Sequence, residues 1–145
     1  MSLVATTLAG SSARAAEGGE TISAGGLTVY LGVVPAEIVK SPPSHSAEQP
    51  MHGGPSSGSH QRHIVVAVYD SVTAARIADA TVTAKVSGLG RSGPKIKLEP
   101  MKIADTTTYG AFFRMTPDLY TISVTVQRPG SQPVVLDLKY DHRRE

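Results

Sequence analysis

Residues 117–127 read PDLYTISVTVQ, and this stretch decides the fold class. From Leu119 the residues alternate. Tyr120, Ile122, Val124 and Val126 fall on one face, and Thr121, Ser123 and Thr125 on the other. A period of two over this length marks a strand with one buried and one solvated face. The preceding Pro-Asp is turn chemistry. A tyrosine just inside a strand that follows such a turn has the form of a tyrosine corner. There the hydroxyl bonds to backbone a few residues upstream and pins a crossover between two sheets. The simpler reading of Tyr120 is a core aromatic with its hydroxyl at the rim.

The same pattern extends outward in both directions. After the turn RPGSQP, the segment VVLDLKY (134–140) puts Val134, Leu136, Leu138 and Tyr140 on one face. Upstream, TYGAFFRM (108–115), KIKLEPMKIA (95–104), ATVTAKVSG (80–88), RHIVVAVYD (62–70) and LTVYLGVV (27–34) also read as strands. Both faces of 62–70 are mostly apolar, which suits a central strand. Pro100 cannot donate to a ladder, so 95–104 is expected to be an edge strand or to bend. SVTAARIADA (71–80) is too short for a stable helix and is expected to form a turn and a short extended piece. PAEIVK (35–40) has room for one helical turn with Pro35 in first position. About seven short strands joined by Gly/Pro turns predict an all-β, immunoglobulin-like antiparallel β-sandwich.

At 145 residues the chain is expected to form a single domain over 17–145. Residues 1–16 read as a signal-peptide remnant ending in Ala13-Arg14-Ala15, or as a disordered Ala-rich tail. The signal reading implies a periplasmic or secreted protein. The Gly-rich stretch from Glu17 to Gly26 is expected to be poorly ordered. Residues 41–61 hold four prolines, three glycines and six serines, so a flexible loop is expected there.

Composition narrows the function. The formal net charge is only +2, and no basic patch with interleaved aromatics occurs, which argues against nucleic acid. No run of 18 apolar residues occurs, so no membrane insertion by a helix is expected. With no cysteine, thiolate nucleophiles and zinc-thiolate sites are excluded. No G-x-S-x-G elbow, P-loop or dinucleotide fingerprint is present, and the expectation is a non-enzymatic protein.

The residues that do cluster are metal ligands. PMHGGPSSGSHQRH (50–63) carries three of the five histidines, with His45 just upstream. Imidazole suits copper, zinc, iron and nickel, and a thioether selects copper(I). His52, His60 and His63 are candidate ligands, because Gly and Ser between them let the loop fold back at little steric cost. The plain alternative is a hydrated linker whose histidines bind nothing. His63 stands apart because it begins a strand, where rigid backbone holds it.

One part of the chain, PMKIADTTTYGAFFRMTPDLYTISVTVQRPG (100–130), resembles the periplasmic iron-transport family of immunoglobulin-fold, copper-binding proteins. In that family Pro-Met-x-x-x-Asp runs into His-Tyr-Gly, a Gly-x-Tyr strand follows, and an earlier central strand opens with His-Leu-Glu. Here Pro100-Met101, Asp105, Tyr109-Gly110 and Tyr120 match in order, and His63 falls at the opening histidine. The resemblance covers roughly 27–140. It implies a secreted sandwich that is often a homodimer, binds copper, and supports iron uptake beside a membrane iron permease. It also implies metal ligands at positions 63, 65, 101 and 108. Two of these are changed, to Val65 and Thr108.

Taken together, the expected site is His63 and Met101 as a rigid half, completed by His52 and His60 from the loop. Copper is the preferred ion, with iron as a second choice. The rival expectation is a partner-binding immunoglobulin-like module with no metal role.

Overall fold

A computed structural model of the chain describes residues 19–36 and 60–143. It contains eight strands: β1 (Gly19–Ala24), β2 (Leu27–Pro35), β3 (Gln61–Asp70), β4 (Thr81–Gly88), β5 (Arg91–Ile103), β6 (Thr106–Arg114), β7 (Leu119–Gln127) and β8 (Val134–Asp141). All neighbouring pairs are antiparallel, in the order β1-β2-β3-β6-β5-β4-β7-β8. No helix lies within residues 62–140. The fold is therefore the all-β sandwich that the alternation predicts.

One expectation fails. The stretch from Glu17 to Gly26 is not poorly ordered throughout, because residues 19–24 form β1, which brings the strand number to eight. Thr21 and Ile22 are β-branched, and Ile22 packs against the core opposite Val29. Gly25 and Gly26 form the two-residue turn into β2 with φ of 57° and 78°. Positive φ at both positions is what a tight hairpin turn requires. A Cβ on Gly25 would come within 2.8 Å of Val134 on β8, so glycine also lets the two ends of the strand order meet. Close by, the backbone N–H of Lys139 on β8 donates to the Glu20 carboxylate, while partial burial raises that carboxyl's pKa. The tail at 1–16, the remainder of PAEIVK beyond Ala36, and residues 41–59 of the expected loop lie outside the described residues.

β5 belongs to both sheets. Its first part pairs with β4 as far as Leu98, opposite Val82. From Glu99, opposite Gly110, it pairs with β6. Pro100 sits at this change of partner, as its missing N–H demands. One sheet thus holds β1, β2, β3, β6 and the end of β5; the other holds the start of β5 with β4, β7 and β8. Between them lie Val29, Ile64, Val66, Val68, Val82, Ala84, Ile122, Val124 and Val126, none of which is exposed at all. Each fully buried Val or Ile contributes about 1.5–3 kcal/mol against the entropy of ordering the chain.

The tyrosine corner is present. The Tyr120 hydroxyl donates to the carbonyl of Thr116 at 2.7 Å. Tyr109 does similar work from β6, donating to the Ile77 carbonyl at 3.1 Å and accepting from the Ala80 N–H at 3.2 Å. Tyr120→Phe keeps the ring and orphans the Thr116 carbonyl. It should cost about 1–2 kcal/mol; a urea unfolding midpoint equal to that of the unaltered protein would exclude a structural corner.

Candidate metal site

Strand register places His63 and Met101 on one surface. Directly paired residues of antiparallel strands share a face. His63 pairs with Phe112, Val65 with Gly110, and Met101 with Thr108. Residues 63, 65, 101, 108, 110 and 112 therefore share the outer face of the β3-β6-β5 sheet. Their neighbours Ile64, Val66, Tyr109, Ala111 and Phe113 point into the core. An outer face is normally solvated. Here His63 is 2% exposed, Met101 7% and Thr108 6%.

Gly110 is the centre of the group. A Cβ built there would lie 2.7 Å from Met101 Cε and 2.9 Å from His63 Nε2. Both side chains thus lean over the same backbone position from opposite sides, on the strands flanking β6. They are no farther apart than the sum of those two distances. Any residue other than glycine would drive them out. The His63 ring also packs on Phe112, with centroids 4.7 Å apart and planes tilted by 41°. All four positions that the resemblance marks as ligands surround Gly110. Val65 lies directly across the β3–β6 ladder from it, and Thr108 sits two residues along β6.

Donor chemistry fits a soft ion at two of these positions. Imidazole nitrogen and thioether sulfur suit copper, whereas the Val65 side chain offers no donor and Thr108 only a neutral hydroxyl. The Met101 terminal methyl and His63 Nε2 both lie close over the bare backbone at Gly110.

Of the other two candidates, the described residues include only His60, which is not brought to this point. His60 is exposed, in the turn that enters β3, and its carbonyl accepts from the Met115 N–H at 2.8 Å. Three residue steps of extended chain separate it from His63, a span of roughly 10 Å. His52 lies outside the described residues. No group of three or more His, Cys, Asp or Glu side chains among the described residues is arranged to hold a metal.

One residue at the site has no counterpart in the sequence reading. Arg76 returns beside β3, where Tyr69 and Arg76 form an isolated antiparallel bridge. The guanidinium donates to the Thr107 carbonyl at 2.8 Å, the Tyr69 hydroxyl at 2.6 Å and Thr108 Oγ1 at 2.7 Å. It also lies 4.9 Å from the centre of the Tyr69 ring. Asp70 shapes the turn that aims it. Its carboxylate accepts the N–H groups of Val72 and Thr73 at 2.9 and 3.0 Å, and those bonds hold the carboxyl below its ordinary pKa. The only hint in the sequence is a single basic residue in the small-residue segment SVTAARIADA.

No family model matches the chain, and no curated protein matches it. Solved structures do. A DUF4426 family protein from Pseudomonas aeruginosa PAO1 is 18% identical, with a TM-score of 0.59 over 86% of this chain and 94% of that chain. A copper-bound variant of FetP from uropathogenic Escherichia coli is 12% identical, with a TM-score of 0.64 over 86% of this chain and 95% of that one. The copper-reconstituted P19 protein from Campylobacter jejuni is 13% identical, with a TM-score of 0.64 over 86% and 93%. The β-sandwich expected from the sequence is thus the fold this chain shares with the copper-bound FetP and P19 structures.

Proposed function

We propose that this chain is a non-enzymatic, periplasmic copper-binding protein, with His63 and Met101 as the fixed half of its metal site. The observation that carries the reading is the approach of His63 Nε2 and the Met101 terminal methyl to the same point over Gly110. Support also comes from the fold shared with copper-bound FetP and P19. When bound, copper would be held by imidazole nitrogen and thioether sulfur, a pair that favours the copper(I) state. His52 and His60 complete the set in this reading. His60 would have to leave its exposed turn to take part. Iron is the second choice of ion. The resemblance further supports a homodimer beside a membrane iron permease.

Val65 and Thr108 favour a second reading, a partner-binding sandwich without metal, because two ligand positions have lost their donors. Copper titration of single variants separates the two. His63→Ala should weaken copper(I) binding by more than the roughly 10–100-fold typical of losing an outer-shell partner. Met101→Leu conserves volume, so it should lower copper(I) affinity while changing stability by less than about 1.5 kcal/mol. Chelator competition and thermal unfolding on the same samples read both effects. If neither variant alters copper affinity, the copper reading is wrong.

Gly110→Ala tests the geometry without touching a ligand. Its new Cβ would displace the imidazole and the thioether methyl, so copper affinity should fall along with about 1–3 kcal/mol of stability. Thr108→His tests the changed position. It faces the same surface as His63 and Met101, so an added imidazole should strengthen copper binding, as measured by the same competition.

A further inference from the structure

The guanidinium of Arg76 is half-buried and held by three neutral oxygens. None of the ion pairs among the described residues includes it. Among the described residues, no carboxylate therefore lies within salt-bridge distance of its positive charge. One of its contacts is Thr108, which lies directly opposite Met101 and two residues from Gly110, a spacing of roughly 7 Å along the strand.

We infer that Arg76 is a specificity-determining residue that selects for low ionic charge at the His63–Met101 pair. The inference rests on the copper reading and deepens it. A fixed cation on the order of 10 Å from a bound ion, at an effective dielectric of about 20, costs roughly tenfold in affinity per unit of ion charge. A monovalent ion meets that penalty once and a divalent ion twice. Because the site is partly buried, salt screens the effect less than it would on an open surface. The thioether donor already favours copper(I). Arg76 adds discrimination that depends on charge alone. It holds its place because Thr107, Thr108 and Tyr69 offer oxygens that bind a guanidinium without neutralising it.

Arg76 is a positioning charge and ligates nothing, so the readout is a ratio of affinities. Copper(I) and zinc(II) affinities are measured by chelator competition in the unaltered protein, Arg76→Gln and Arg76→Lys. Arg76→Gln removes the charge and should shift the copper(I)-to-zinc(II) ratio roughly tenfold toward zinc. Arg76→Lys keeps the charge and should hold the ratio within about twofold, although its bonding to Thr108 and Tyr69 differs. A ratio unchanged in Arg76→Gln overturns the inference and leaves the copper reading standing. So does an equal shift in both variants, which would mean a merely structural role. Absence of any copper(I) binding in the unaltered protein overturns both. If Arg76→Gln fails to fold, the unaltered protein still answers. Raising perchlorate from about 10 mM to 1 M shortens the Debye length to about 3 Å and should improve zinc binding relative to copper(I). A ratio independent of salt counts against the inference.

Discussion

The sandwich depends on β5 leaving one sheet for the other. A strand that pairs with β4 as far as Leu98 and with β6 from Glu99 joins the two layers by main-chain hydrogen bonds. Two packed sheets otherwise touch only through side chains. Pro100 is compatible with that change because it has no N–H to leave unpaired at the switch. The residue after it, Met101, then arrives at the end of the strand already docked on β6. The step that closes the core therefore also delivers the thioether to the outer face. The Pro-Met pair is as much a device of architecture as of chemistry.

A second constraint operates across β6. His63 and Met101 come from strands on either side of it, and a side chain at position 110 would hold them apart. Glycine there weakens the strand slightly, since it buries no side chain and loses more backbone entropy than other residues. A sheet that only needed a covered outer face would be served better by alanine or serine. Glycine leaves room over the bare backbone for both the His63 ring and the Met101 methyl.

The fold was legible because the alternation is clean. Val82, Ala84, Tyr120, Ile122, Val124, Val126, Leu136 and Leu138 are all buried on the faces read from sequence. β1 was missed because its run is short and follows a Gly-rich stretch, so composition outweighed local pattern. Gly25-Gly26 was the available signal: a two-glycine turn before an alternating segment marks a hairpin. Of the site, His63 and Met101 were legible through strand position and motif. His60 is close to His63 in sequence, but extended backbone leaves it in the exposed turn that enters β3. Arg76 was not legible, since its role arises from a return beside Tyr69 and from contacts with residues 31 and 32 positions further along the chain.

The substitutions at 65 and 108 read differently once Arg76 is in place. An acidic residue at 65 and an imidazole at 108 would bring a negative charge and a basic nitrogen to the face around Gly110, a set suited to a divalent ion. Valine removes the negative charge, and threonine replaces a donor nitrogen with a small hydroxyl that accepts from Arg76. Both changes and the guanidinium move the site the same way, toward fewer donors and a more positive local field. Two of these positions differ from the pattern the resemblance implies, and Arg76 bonds to one of them, Thr108.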